Sequence, residues 1–316
     1  MDIQSLLRKE TARLLNEDLV DLIIGFEAES SPLRPQPTFI TSAAETDKLI
    51  INSFCQNNLA SYLTRLPREQ RIGLVVRGCE SRAVHALVVE NQHAREKLFL
   101  IGIPCHGILD LRKIESKAGF DILSAEETGQ TITLTTLKYE VKLDRQELLH
   151  DSCLRCLHPN PVSPDLMLGE PLPEGDPALA RQPLVDFETL AHEDRYAFFT
   201  YETERCIRCY ACREACPMCY CSECFVDHTT PRWSESMVTP SGTHAWHIVR
   251  AFHQTGRCVS CGACERACPM DIKMTYLTDK LNEDIRQMYG FEVGMDDTSQ
   301  PPFAAFTLDD KDRFMG

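Results

Sequence analysis

At 316 residues, 43% of them hydrophobic, the chain is long enough to bury a sizeable core and to divide into two domains. A formal net charge of -14 excludes a surface built on clustered Lys and Arg, and with it a nucleic-acid function. The 16 cysteines exceed what an ordinary reduced protein carries, so the chemistry of the chain turns on what they hold.

The N-terminus, Met-Asp-Ile-Gln-Ser-Leu-Leu-Arg-Lys-Glu, has no uninterrupted apolar core of a secretory signal. The longest uncharged apolar stretch, Leu98 to Leu109, is too short to cross a bilayer and contains Pro104. A cytoplasmic location is therefore expected, where cysteines in Cys-x-x-Cys spacing are metal ligands rather than disulfides. Residues 2–26 read as an amphipathic helix running into the apolar segment Leu19 to Phe26. Ser30 to Pro37 is a loop with three prolines, and residues 44–66, containing Cys55, return to a helical pattern.

From Arg71 the pattern becomes α/β. Ile72 to Val76 is a continuous apolar run suited to a buried parallel strand, and it ends at Gly78-Cys79. Ser81 reads as the N-cap of a helix over residues 82–92. Leu98 to Ile103 is a second strand, ending in Pro104-Cys105-His106-Gly107, which makes a right-handed βαβ unit. Cys79 and Cys105 then lie at the carboxyl ends of parallel strands, the edge where open α/β sheets bind ligands. Thr131 to Leu143 has the alternation of a hairpin. A short helix leads from Arg145 to Cys153-Leu-Arg-Cys156. The stretch from Pro159 to Pro183 holds seven prolines and reads as a linker. The expected architecture is an α/β domain over 1–157, a linker over 158–187, an α+β dicluster ferredoxin-like domain with helical flanks over 188–294, and a tail over 295–316.

Two stretches dominate the last third. Arg205-Cys206-Ile-Arg-Cys209-Tyr-Ala-Cys212-Arg-Glu-Ala-Cys216-Pro217-Met218 and Arg257-Cys258-Val-Ser-Cys261-Gly-Ala-Cys264-Glu-Arg-Ala-Cys268-Pro269-Met270 are identical at nine of fourteen positions. Each is a complete Cys-x-x-Cys-x-x-Cys-x-x-x-Cys-Pro run, the spacing by which bacterial ferredoxins hold two 4Fe–4S clusters. The first three cysteines of a run bind one cluster and the fourth binds the other. Cluster 1 is thus expected on Cys206, Cys209, Cys212 and Cys268, and cluster 2 on Cys258, Cys261, Cys264 and Cys216. A zinc ribbon explains neither the third cysteine nor the Cys-Pro. The radical-SAM-like spacing Cys212, Cys216, Cys219 reuses cysteines that the runs require. Cys153-Leu-Arg-Cys156-Leu157-His158 misses the c-type haem motif by one residue.

Cys79, Cys105, Cys153 and Cys156 form a second constellation. Buried small hydrophobes are the plain alternative for Cys79 and Cys105, but their shared place at the sheet edge points to cluster 3. Here the sequence resembles the β-subunit family of deazaflavin-coenzyme-reducing hydrogenases and formate dehydrogenases, on Gly102-Ile-Pro104-Cys105-His106-Gly107, then Cys153-Leu-Arg-Cys156 and Pro-Asp165-Leu-Met-Leu-Gly169-Glu. The resemblance covers residues 70–170 and implies a domain with one 4Fe–4S cluster and often a flavin. It also implies partners such as a dehydrogenase or hydrogenase catalytic subunit or a heterodisulfide-reductase-like flavoprotein. The sequence departs from the family where the segment that would complete a flavin pocket gives way to the proline stretch. No Gly-x-Gly-x-x-Gly fingerprint compensates, so FAD rests on the resemblance alone.

Cys219, Cys221 and Cys224 remain. They fit a zinc site with His228, a fourth cluster with Cys55, or thiols packed beside cluster 2, and spacing does not choose among these. His244, His247 and His253 read as packing residues of a helix. Trp233 and Trp246 read as shields of the clusters or packing of the insertion, and Arg208 and Arg257 as helpers that hold a negatively charged cluster or a partner's carboxylate. No nucleophile–base pair or phosphate loop is visible. The resulting expectation is an electron-relay subunit of a cytoplasmic oxidoreductase. The competing reading is a flavoenzyme that reduces a deazaflavin, nicotinamide or quinone-like acceptor at the α/β domain.

Overall fold

A computed structural model describes residues 2–235 and 237–304. The expected tail lies partly outside these residues, from 305 onward. Helix α1 (Ile3–Asn16) begins where the Asp2 side chain accepts the Ser5 N–H at 2.7 Å. It buries Leu7, Thr11 and Leu14. The apolar segment after it is a strand rather than more helix: β1 (Leu22–Glu27), followed by β2 (Gln36–Ile40) and the short β3 (Leu49–Ile50). The helical pattern expected over 44–66 resolves into two 3₁₀ turns, Ala43–Lys48 and Leu59–Arg65, around β3. Asparagine side chains explain the break. Asn52 Oδ1 accepts the Phe54 N–H and Asn58 Oδ1 that of Ala60, local bonds that compete with a continuous helix.

Strand β4 (Ile72–Val76) is buried at every residue and pairs parallel with β5 (Leu98–Gly102), as the βαβ reading required. The connecting helix α2 (Gly78–Val89) starts earlier than Ser81. Glu80 accepts the Arg77 N–H at 2.9 Å and so fixes the first turn there. Helix α3 (Leu111–Ala118) leads into β6 (Ile122–Thr128), β7 (Thr131–Thr136) and β8 (Glu140–Asp144), so the expected hairpin is two strands of a three-stranded antiparallel sheet. Ile132 and Leu134 of β7 are buried against Leu109, Ile114, Leu148 and Leu149. Helices α4 (Arg145–Leu148) and α5 (Asp151–Leu154) follow, then β9 (Leu166–Met167).

The main sheet runs β2-β1-β4-β5-β9, with β3 also on β1. Strands β1, β4, β5 and β9 are mutually parallel, whereas β2 and β3 are antiparallel to β1. The N-terminal region is thus α/β with a mixed sheet. The segment expected as a linker belongs to it. The segment supplies β9, its Pro159 carbonyl accepts the Cys105 N–H at 2.9 Å, and its Val162 N–H donates to Ser81 Oγ at 2.8 Å. Proline density here caps an edge strand instead of freeing a connector.

The remaining elements are helical: α6 (Pro177–Thr189), α7 (His192–Glu204), α8 (Ala211–Glu214), α9 (Pro240–Gln254), α10 (Ala263–Ala267) and α11 (Thr275–Tyr289). Among the described residues no strand follows Met167, so the α+β expectation for this region gives way to a helical one. The two regions share one core. Met218, Val259 and Val293 are buried in the same apolar cluster as Ile72, Leu74 and Leu100 of the sheet. No helix among the described residues is long and apolar enough to cross a membrane.

Candidate metal centres

The duplication seen in sequence is repeated in the backbone. Arg208 and Tyr210 in the first cysteine run have φ of 51° and 60°, and Ser260 and Gly262 at the matching positions have φ of 53° and 69°. These left-handed residues turn each loop so that a backbone N–H meets the first cysteine. The Arg208 N–H lies 3.4 Å from Cys206 Sγ, and the Ser260 N–H lies 3.4 Å from Cys258 Sγ. Tyr210 bears the strained backbone with a side chain attached. Gly262 has no room for one, since a Cβ there would come within 2.2 Å of Ser152 Oγ.

Three groups of thiols come together. Cys206, Cys209, Cys212 and Cys268 lie within electrostatic reach of one another. Cys216, Cys258, Cys261 and Cys264 line one small cavity. Cys79, Cys105, Cys153 and Cys156 meet at the carboxyl edge of β4 and β5, where the Gly107 N–H donates to Cys105 Sγ and the Ile108 N–H to Cys153 Sγ, both at 3.3 Å. Gly78, just before Cys79, is packed so closely that a Cβ would come within 1.9 Å of the His158 carbonyl oxygen.

Burial raises several of these thiols. It pushes Cys156 and Cys258 up to about 12 and Cys212 up to about 11, and it holds Cys79, Cys264 and Cys105 above the ordinary range. Four such sulfurs ionise together only when a cation takes their charge, and binding it releases the protons. Among the described residues no three His, Cys, Asp or Glu side chains stand close enough to hold a single metal ion. Sulfurs around a cubane lie farther apart than those around one zinc, and backbone N–H groups aimed at sulfur suit such a cluster.

Of the buried arginines that escaped the sequence reading, two stand between cysteine groups. Arg250 of α9 donates to the Cys212 carbonyl at 3.2 Å and faces the thiols of Cys264, Cys216, Cys219 and Cys212. Burial opposes its charge, and the nearby sulfurs favour it. Arg82 of α2 donates to the Val293 carbonyl at 3.1 Å, pairs with Glu292, and faces Cys79, Cys156 and Cys258. The readable signal for Arg250 was a polar stripe, His247, Arg250 and Gln254, on the buried side of α9. Of the expected helpers, Arg257 clasps Glu90 of this chain at the end of α2, with Nη2 2.7 Å from Oε2, whereas Arg208 faces Cys206 and also holds the Glu235 and Met237 carbonyls and Ser234 Oγ of the insertion. Trp246 is buried against Tyr210 and Phe225 beside Cys212 and Cys268, whereas Trp233 is exposed.

Cys219, Cys221 and Cys224 line a cavity of about 570 Å³ with Cys216. Cys55 is apart from them. Its thiol lies 3.5 Å from Asn52 Oδ1, its carbonyl accepts Arg77 Nη1 at 2.6 Å, and the Arg77 guanidinium in turn faces Cys105 and Cys79. Its thiol is pushed up to about 12 by burial. His228 is turned to Glu223, 3.9 Å away.

The cysteine loops are those of an iron–sulfur protein, and residues 202–272 match the 4Fe–4S dicluster domain family. Along nearly its whole length the chain is similar to named β-subunits. The F420-dependent formate dehydrogenase subunit beta of Methanocaldococcus jannaschii is 23% identical over 92% of this chain and 91% of its own. The F420-dependent formate dehydrogenase 1 subunit beta of Methanococcus maripaludis is 22% identical over 91% of this chain and 90% of its own. A chain in the structure of the F420-reducing NiFe hydrogenase complex from Methanosarcina barkeri aligns at a TM-score of 0.40 and 16% identity, over 48% of this chain and 58% of that one. The resemblance read from residues 70–170 thus extends through the cysteine runs as well.

Proposed function

We propose that the chain relays single electrons through three 4Fe–4S clusters in series, as the iron–sulfur β-subunit of a multi-subunit oxidoreductase akin to F420-dependent formate dehydrogenase. Cys206, Cys209, Cys212 and Cys268 hold cluster 1. Cys258, Cys261, Cys264 and Cys216 hold cluster 2, and Cys79, Cys105, Cys153 and Cys156 hold cluster 3. The clusters supply the one-electron redox chemistry, and the protein sets their potentials through burial, N–H···S bonds and nearby charge.

The observation that carries this reading is continuity. Arg250 faces thiols of the first two groups, and the Cys79 thiol of the third group faces Cys261 of the second. Arg82 faces Cys79, Cys156 and Cys258 across the same junction. The second group therefore stands between the other two. The partner is a dehydrogenase or hydrogenase catalytic subunit or a heterodisulfide-reductase-like flavoprotein, located with this chain in the cytoplasm.

Anaerobically purified Cys105→Ser is expected to lose about four irons per chain and one EPR signal while the signals of the two cysteine runs persist. Unchanged iron and spectra would refute the third site. One observation favours the flavoenzyme alternative: a cavity of about 530 Å³ opens beside Cys105, lined by Arg77, Pro104, His106 and Glu127. Stoichiometric FAD released from the purified complex and traced to this chain would establish that reading.

A further inference from the structure

We infer that Cys219, Cys221 and Cys224 form a fourth 4Fe–4S site, bound by three thiolates with one iron left to a non-protein ligand. The site rests on the iron–sulfur reading of the chain but on none of the other ligand assignments. All three residues line the same cavity of about 570 Å³, which lies between the 3₁₀ turn Leu59–Arg65 and α9. They belong to a stretch with neither helix nor strand.

Donors already point at the sulfurs. Gln254 Nε2 lies 3.2 Å from Cys219 Sγ, and the Arg213 guanidinium bonds to both Cys224 and Asp227. Arg250 lines the cavity and faces Cys219, and its buried Nε has no hydrogen-bond partner among the described residues. Phe225 stacks on Trp246 at 5.6 Å and meets His253 edge-on at 5.4 Å, which gives the cavity an apolar wall. Buried cations, donors on sulfur and an aromatic wall are what an anionic cluster needs when it leaves water.

The two rival occupants fit less well. A single zinc needs its ligands closer together than any three such side chains stand among the described residues, and His228 is turned to Glu223. A fourth cysteine from Cys55 is unsupported, because that residue is engaged by Asn52 and Arg77. Three protein thiols on a cubane leave one iron facing the open part of the cavity.

The test compares iron, sulfide and zinc per chain, with EPR of the reduced protein, in the anaerobically purified full chain and in Cys221→Ala and Cys224→Ala. Cys221 is exposed and outside any helix or strand, so its substitution leaves the core intact, and circular dichroism checks this. The expected result is a loss of about four irons and one EPR signal in each variant, with zinc absent throughout. Iron unchanged, or one zinc lost in place of iron, would overturn the proposal. A Cys206→Ser control separates the two readings. If it loses iron while Cys221→Ala does not, the relay stands and the fourth site falls; if no cysteine variant loses iron, the relay falls with it.

Discussion

Arg250 lies where two cysteine groups approach each other, and its charge acts on both. Reduction adds negative charge to a cluster, so a neighbouring cation favours the reduced form. Replacing it, as in Arg250→Met, is expected to move the midpoint of the affected clusters more negative by roughly 60 mV, about 1.4 kcal/mol for one electron. EPR-monitored redox titration measures this, and an unchanged midpoint would show that the arginine serves packing alone. The cysteines around it were legible because their spacing is dictated by the geometry of wrapping one cluster with one loop. Arg250 and Arg82 were not, because a buried charge on a helix becomes readable only when the groups that compensate it are known. Both arginines draw those groups from distant parts of the chain.

The end of α2 joins the N-terminal sheet to the second cysteine run. There Glu90 accepts from Arg257 Nε and Nη2 and from Tyr220 Oη, and both members of the ion pair are largely buried. Removing the carboxylate leaves Arg257 short of a partner, so Glu90→Ala is expected to cost about 2 kcal/mol, with the partial exposure of the pair lowering the figure for a fully buried one. Urea unfolding of the anaerobic protein reads this as a lower midpoint with an unchanged slope. Sequence pattern identified β4, β5 and the crossover between them, since an apolar run bounded by glycine has few other readings. It failed over 44–66, where the apolar spacing suited a helix but the Asn52 and Asn58 side chains offered the backbone local partners instead. It failed again at the proline stretch, because composition does not reveal that Leu166 and Met167 find the edge of β5.

Across the whole molecule, the second and third cysteine groups face each other across the junction of the α/β and helical regions. Cys79 on α2 faces Cys261 on the second run, and Ser152 of α5 packs against Gly262. Chelation of the iron is therefore expected to loosen the helical region first, since its loops contain few backbone ladders of their own. Hydrogen exchange should show protection lost in residues 205–235 and 257–272 while β4 and β5 keep theirs. Uniform loss across both regions would mean that they unfold as one unit. The strand β9 also bears on where such a chain can be divided between two genes. A break just after Cys156 would leave the first product with the Leu98–Gly102 backbone as an unpaired rim, open to pairing with other copies. The second product would carry away Pro159, whose carbonyl accepts the Cys105 N–H at 2.9 Å, and Val162, whose N–H donates to Ser81 Oγ at 2.8 Å. A break in the short turn between α6 and α7, beyond the prolines, would instead leave β9 paired with β5 on the first product.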